Sequence, residues 1–573
     1  MEDIRIGVYI CWCGTNIAKM VDVETIAKEV ETLPHVVISK SYKYMCSDPG
    51  QEMIYQDIKE HKLNRVVVAA CSPRIHEPTF RKVCMKADIN PYFFEMANIR
   101  EHVSWVHEDR EAATLKAKTL VRSAIHRVAF HESLDKRTVA VEPSTLVIGG
   151  GVSGMNAALE IADAGRDVFL VEKTNRLGGI VSQLDLSYPF MTNVSEVMDP
   201  LIHRVRKHPH VTVYPESEIR EITGYIGNFE TVIYSKTHET KIKFGNVIVA
   251  TGLKPFDPGN IKEYGYTKFP DVITSLEFEK RMKKDGQITT SEGKEPKHVA
   301  IIHCVGSRNE KYHEYCSNTC CMTALKYANQ IKSSLPEANV YEIYSDMRVF
   351  GKGCEELYAK SSRKNIKYFL YNQENGLPQI VNGSRYNGCD LLIELEEKMV
   401  GKKIGIPVDL VILMVAMEAH EDAKEIAHAV GISLCSNNFF IEKHPKLDPV
   451  STTTDGVYIV GSCQGPKDIP ESVSQARAAA ARILANISQG FAEVETTTAI
   501  ANELLCCGCQ TCVKSCPYSA IKYDPDKKSA VVNEVLCKGC GTCGAACPTG
   551  AIKAKHFTDK QIMAQIKGLL FQG

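Results

Sequence analysis

The stretch that most constrains this chain is residues 145–172, TLVIGGGVSGMNAALEIADAGRDVFLVE. Thr145–Ile148 is a short apolar run of strand type. Gly149, Gly151 and Gly154 follow as Gly-x-Gly-x-x-Gly, and Met155–Ala164 has helical composition. Asp167–Val171 is a second strand run, closed by Glu172. Strand, glycine turn, helix, strand and an acid about 20 residues on is the context of a dinucleotide site. Gly149 allows the tight turn, Gly151 lets the backbone approach a pyrophosphate, and Gly154 lets helix and strand pack closely. The helix N-terminus offers free N–H groups and a positive dipole end to phosphates. Glu172 is placed to accept from a ribose hydroxyl.

The fingerprint alone does not separate FAD from NAD. Asn246–Pro255 (NVIVATGLKP) is a strand running into Ala250-Thr251-Gly252, and Gly456–Cys463 (GVYIVGSC) is another, followed by a Ser/Ala-rich helix at Glu471–Ile483. Together with residues 145–172 these resemble the FAD domain of the thioredoxin reductase and disulfide reductase family. Lys173, Gly179, Thr251, Gly252, Gly461 and Cys463 join Gly149, Gly151, Gly154 and Glu172 as candidate FAD contacts. That family closes the last strand with Gly-Asp, whose Asp holds the ribityl chain; here Cys463 stands near that place.

The chain has 22 cysteines in 573 residues, and they cluster. No export signal precedes them, so metal or redox chemistry in a reducing, cytoplasmic compartment is expected rather than disulfides. Cys506-x2-Cys509-x2-Cys512-x3-Cys516-Pro517 is repeated as Cys537-x2-Cys540-x2-Cys543-x3-Cys547-Pro548. This spacing serves two 4Fe–4S clusters, with the fourth cysteine of each run ligating the other cluster. Cys506, Cys509, Cys512 and Cys547 form one set; Cys537, Cys540, Cys543 and Cys516 form the other. Cys507 is surplus.

Residues 1–140 alternate strand and helix, hence a parallel sheet. Cys11, Cys13, Cys46 and Cys71 fall just past strand ends, where sites in such sheets lie. Four thiolates on one edge suit a 4Fe–4S cluster; inert buried thiols remain the alternative, and Cys84, within a helix, is assigned to that class. Lys297–Asp346 is a βαβ unit where a nicotinamide-using reductase carries its second glycine fingerprint. The turn instead reads Cys304-Val305-Gly306-Ser307-Arg308, with Cys316, Cys320 and Cys321 following. Adjacent cysteines normally diverge, but a helix start has looser geometry and a dipole that favours thiolates. An unusual cluster beside the flavin is the preferred reading; a vestigial nicotinamide domain with free thiols is the alternative.

With the cysteines placed, the whole chain resembles the A-type subunit of heterodisulfide reductase, an iron–sulfur flavoprotein of methanogenic archaea and related anaerobes. The matching features are Cys11-Trp-Cys-Gly, Cys71-Ser-Pro-Arg, Asn98-Ile-Arg-Glu-His-Val-Ser-Trp105, Gly149–Gly154, Cys304-Val-Gly-Ser-Arg308, the Cys316/Cys320/Cys321 set and the terminal cysteine repeat. The resemblance implies an N-terminal cluster, FAD, an atypical cluster on Cys304, Cys316, Cys320 and Cys321, and therefore four 4Fe–4S clusters in all. It places Lys326 near the flavin, as a candidate for tuning its N5. It implies electron bifurcation between ferredoxin and a disulfide acceptor on partner subunits. It further implies B-type and C-type partner subunits, a hydrogenase or formate dehydrogenase input subunit, ferredoxin, and a homodimer within a larger complex. Some members carry a further two-cluster module inserted in the FAD domain; Leu253–Pro296 here has no cysteine.

The expected architecture is multidomain α/β: an α/β parallel-sheet iron–sulfur domain at 1–140, a thioredoxin-reductase-like FAD domain at 141–490, and a two-cluster ferredoxin domain at 491–573. Net charge of −1 argues against nucleic acid as a main partner. The longest apolar run, about Val408–Met417, is too short to cross a bilayer and carries Asp409. Two rival functions are an NAD(P)H-dependent reductase of the glutamate-synthase small-subunit type and a non-catalytic iron–sulfur wiring scaffold.

Overall fold

The computed structural model describes residues 3–135, 137–236, 238–386, 388–494 and 496–570. The chain divides into two compact units. One joins the chain up to Thr138 to the chain from Glu493 on; the other is Val139–Ala492.

In the first unit, strands Ile6–Cys11, Val36–Tyr42, Arg65–Ala70 and Phe94–Asn98 form a four-stranded parallel sheet with Ile6–Cys11 and Arg65–Ala70 at its centre. The two central strands are buried along their whole length, as runs such as Arg65-Val-Val-Val-Ala-Ala require when helices cover both faces. The carboxyl ends of all four strands open on one edge. After Phe94–Asn98 the chain makes a π-helical turn, Arg100–Ser104, a form often found at functional sites. The Asn98 side-chain oxygen steadies that turn by accepting from the Arg100 and Glu101 N–H groups.

The helix Arg110–Val128, capped by Asp109, ends this part of the sequence. Against it lies the chain's last helix, Asp559–Leu570. Arg122 donates to the Gly568 carbonyl at 2.9 Å, and the Ser123 hydroxyl to the Gln565 carbonyl at 3.0 Å. A Cβ on Gly568 would stand 2.7 Å from the Ser123 Cα, so the two backbones touch. The two ends of the sequence thus share one packed unit.

The second unit holds two five-stranded parallel sheets. The first orders its strands Val211–Tyr214, Val168–Val171, Thr145–Ile148, Asn246–Val249 and Val457–Ile459. The second orders them Val272–Thr274, Leu410–Val415, His298–Val305, Asn339–Tyr344 and Lys367–Leu370. In the first sheet the strand order reverses beside Thr145–Ile148, and α/β ligands bind beyond the strand ends at such a switch point. Among the described residues no helix is long and apolar enough to cross a membrane.

Candidate functional site: a flavin cavity bordered by thiols

A cavity of about 1180 Å³ opens beyond the first sheet of the second unit, lined by Gly149, Gly151, Glu172, Lys173, Gly179, Thr251 and Gly252. The glycines have separate reasons. A Cβ on Gly154 would lie 1.9 Å from the Gly149 carbonyl oxygen, so only glycine lets the helix Val152–Asp163 meet the strand. Gly149 has φ +108°, and its Cβ would lie 2.4 Å from the Ala250 oxygen. Gly151 differs: a Cβ there meets nothing within 4 Å and points into free space ahead of the helix N-terminus. A Cβ on Gly179 would be 3.2 Å from the Gly151 Cα, so it closes the far side of that turn. The Thr251 hydroxyl is buried with no partner among the described residues, a donor in want of a ligand. These features fit a dinucleotide.

The other expected contacts already have protein partners. The Glu172 carboxylate lines the cavity but already accepts from the Gly150 N–H at 2.8 Å and from the Thr174 N–H and hydroxyl, each at 2.8 Å. Lys173 pairs with Asp422 at 3.0 Å. The Gly461 N–H donates to Gln475, and a Cβ there would strike the Ser153 hydroxyl at 2.2 Å. Cys463, expected beside a ribityl chain, turns into the core instead. Its sulfur faces the Val249 and Val460 carbonyls at 3.3 and 3.2 Å, and burial pushes the thiol up to about 11. The residue lining the cavity at that point is its neighbour Ser462.

The same cavity reaches the second sheet, where Glu279, Thr319, Cys320, Thr323 and Lys326 line it. Cys320 and Lys326 sit on one helix, Cys320–Ser334, with the cysteines at its first positions. Lys326 is 2% exposed. Its Nζ pairs with the buried Glu279 carboxylate and donates to the Leu186 carbonyl at 2.7 Å. Burial lowers its pKa, against the pull of Glu279. Glu279 carries no distinguishing sequence signal inside its charged helix, and only the structure reveals it.

Cys304, in the left-handed region at φ +57°, approaches that helix start from the end of the strand His298–Val305. The Cys320 thiol is within hydrogen-bond reach of both Cys304 and Cys321. This sharing pulls Cys304 down to about 6 and Cys321 to about 4, helped in each case by His303. His303 is fully buried and pairs with the buried Glu342; although burial opposes its charge, Glu342 and Cys321 raise it to about 10. The same sharing, with burial, raises Cys320 well above the ordinary thiol value, so the shared proton rests on Cys320 and thiolate character falls to Cys304 and Cys321. The Cys316 sulfur accepts the Asn318 N–H at 3.3 Å.

In the first unit Cys11, Cys13, Cys46 and Cys71 converge at the carboxyl edge of the sheet. The Cys13 N–H donates to the Cys11 sulfur at 3.3 Å, and an Arg100 Nη1–H to the Cys13 sulfur at 3.4 Å. Burial raises the Cys11, Cys46 and Cys71 thiols, Cys71 to about 12, while the Arg100 charge pulls Cys46 and Cys71 back. Cys84 is fully buried in the apolar cluster behind them.

In the terminal repeat the thiols lie close enough to influence one another. Cys512 feels Cys506 and Cys509, and Cys509 feels Cys547; Cys543 feels Cys537, Cys540 and Cys516. The N–H groups of Ala499, Ala520 and Ala530 point at Cys537, Cys516 and Cys506 at 3.3, 3.3 and 3.5 Å, contacts of the kind that tune a cluster. Cys507 is exposed.

Residues 143–303 match the model of the pyridine nucleotide-disulphide oxidoreductase family, and residues 505–551 that of the 4Fe-4S dicluster domain. A thioredoxin reductase of T. acidophilum covers 61% of this chain and all of its own at 18% identity and a TM-score of 0.42. Fold and sites together define a flavin- and iron–sulfur-containing oxidoreductase that transfers electrons. The iron-sulfur A-type subunit of a CoB--CoM heterodisulfide reductase of Methanopyrus kandleri is 41% identical over 605 residues, 91% of each chain. The A-type subunit of the H(2):CoB-CoM heterodisulfide,ferredoxin reductase of Methanothermobacter marburgensis is 40% identical over 654 residues, all of this chain and 98% of its own. A protein of Archaeoglobus profundus, named as like the same heterodisulfide reductase component, is 35% identical over 702 residues, all of this chain and 99% of its own. The chain belongs to the family of heterodisulfide reductase A-type subunits.

Proposed function

We propose that this chain is the electron-dividing component of a heterodisulfide-reductase-type complex in the cytoplasm, sending one electron of a pair toward ferredoxin and the other toward a disulfide on partner subunits. The carrying observation is that Cys320 and Lys326, on one helix, line the cavity that the glycine turn opens. Bound FAD would supply exchange of one or two electrons, whereas iron–sulfur clusters accept one at a time. Gly151 and the first-turn N–H groups of the helix Val152–Asp163 would hold the pyrophosphate, and the Thr251 hydroxyl would donate to the cofactor. Lys326 presents a proton on Nζ at the other end, its position fixed by Glu279 and the Leu186 carbonyl. Cys304, Cys320 and Cys321, joined by Cys316, would hold a cluster where related reductases hold a nicotinamide.

Four clusters follow: this one, the N-terminal one on Cys11, Cys13, Cys46 and Cys71, and the terminal pair. B-type and C-type subunits, an electron-input hydrogenase or formate dehydrogenase component, and ferredoxin are the proposed partners, with a homodimer at the centre. The names of relatives from Methanothermobacter marburgensis and Methanococcus maripaludis, which pair a heterodisulfide with ferredoxin, support this assignment. Anaerobically reconstituted protein is expected to hold about 16 Fe per chain, at four per cluster. About 8 Fe, from the terminal pair alone, would exclude both unusual sites.

A further inference from the structure

The N-terminal thiol site has one feature that ligation does not explain: a cation is built into it. Arg100 side-chain exposure is only 16%, and the guanidinium is pinned from several sides. Its Nε and Nη2 donate to Glu101 at 3.2 and 2.7 Å. Its face lies 4.7 Å from the Trp105 ring centroid. Its backbone is fixed by Asn98 inside the π-helical turn. The remaining arm, Nη1, donates to Cys13 at 3.4 Å. The charge acts on Cys46 and Cys71 as well. A structural arginine needs only the Glu101 pair; this one also turns an N–H onto sulfur.

We propose that Arg100 sets the reduction potential of the N-terminal cluster, holding it above the value the four thiolates alone would give. This rests on reading Cys11, Cys13, Cys46 and Cys71 as cluster ligands. One-electron reduction adds one negative charge to the cluster and its thiolates and leaves the protein's own charges unchanged. A fixed cation in a water-poor site interacts more favourably with the more negative state, and an N–H donated to a ligating sulfur acts in the same direction. Glu101 acts oppositely: its carboxylate offsets part of the Arg100 field. Arg100 is therefore a positioning and tuning residue that holds no iron itself.

The test is an EPR-monitored redox titration, with dithionite as reductant, of the full chain after anaerobic reconstitution. The variants are Arg100→Gln, Arg100→Lys and Glu101→Gln, with iron counted in each. Arg100→Gln is expected to keep its iron and to weaken reduction of one cluster about tenfold, a downward shift of about 59 mV for one electron. Arg100→Lys is expected to recover part of that shift, because charge returns without the forked geometry. Glu101→Gln is expected to move the same cluster upward, and the terminal pair to stay unmoved in all three. Opposite signs at neighbouring positions are not a consequence of a loosened turn. The proposal is overturned if Arg100→Gln keeps both iron and potential, if Lys falls as far as Gln, or if both Arg100 variants lose the cluster. Loss of iron in Gln but retention in Lys also overturns it, since Arg100 would then hold the cluster together rather than set its potential. Cys71→Ser in parallel tests the underlying reading separately: if that variant loses no iron, the ligand assignment has failed, whatever Arg100 does.

Discussion

Replacing Gly151 by valine separates ligand space from protein space. The residue caps the helix Val152–Asp163 at φ −74° and ψ −175°, a backbone any residue adopts. An added Cβ meets no protein atom within 4 Å. The fold should therefore change in stability by about 1 kcal/mol or less. The valine methyl groups, however, fill the approach to the helix N-terminus. If one or two charge-assisted hydrogen bonds to the pyrophosphate are lost, at about 1.5–3 kcal/mol each, the loss spans about 1.5–6 kcal/mol. That weakens FAD binding by about 10- to 10⁴-fold. Gly154→Ala is the contrasting control. Its Cβ would overlap the Gly149 oxygen at 1.9 Å, so it should lower the melting temperature as well as flavin content. The assay is flavin absorbance per chain, FAD affinity by fluorescence, and thermal unfolding of each variant. A Gly151→Val protein that keeps FAD within about threefold of the parent affinity, well short of the tenfold per 1.4 kcal/mol expected, would refute the assignment of the glycine turn to the cofactor.

Cys320→Ser is expected to lose about four Fe and keep FAD, because a lost thiolate opens one cluster only; iron and flavin analysis on one sample checks it, and loss of iron from the terminal pair would contradict it. His556 gives the first unit a pH dependence. Burial, with the nearby His131, Arg127 and Arg81 charges, lowers its pKa to about 2. The unfolded chain takes up that proton below about 6.5 and the folded chain does not, so stability is full above about 6.5 and falls by about 1.4 kcal/mol per unit as pH drops below it. Melting temperatures between about pH 7.5 and 5.5, which bracket the unfolded value, should decline less steeply in His556→Phe than in the parent; equal slopes would sink this reading.

Much of the architecture is legible in the residues because it is local. Alternating apolar runs and helical stretches mark the parallel sheets, and the cysteine repeat marks the terminal module. What is not legible is long-range. Nothing near Gly568 announces that its missing side chain lets the last helix rest on Ser123. Cys463 lies where the reductase pattern puts a polar contact, yet a one-residue offset turns it into the core and brings Ser462 to the cavity. Glu172 has the position of a ribose acceptor, and only the structure shows that Gly150 and Thr174 also donate to its oxygens. Arg100 and Glu279 look like ordinary surface charges in sequence; burial against thiols and against Lys326 gives each its role.

The proposed function stands or falls on whether a cluster, rather than a nicotinamide, faces the flavin at the end of the strand His298–Val305. Anaerobic stopped-flow absorbance of the reconstituted chain, mixed separately with NADPH, NADH and reduced ferredoxin, decides between them. Negligible flavin bleaching is expected with either nicotinamide, and ready reduction with ferredoxin, the latter lost in Cys320→Ser. Rapid bleaching by NADPH would contradict the cluster and restore the nicotinamide-dependent reductase.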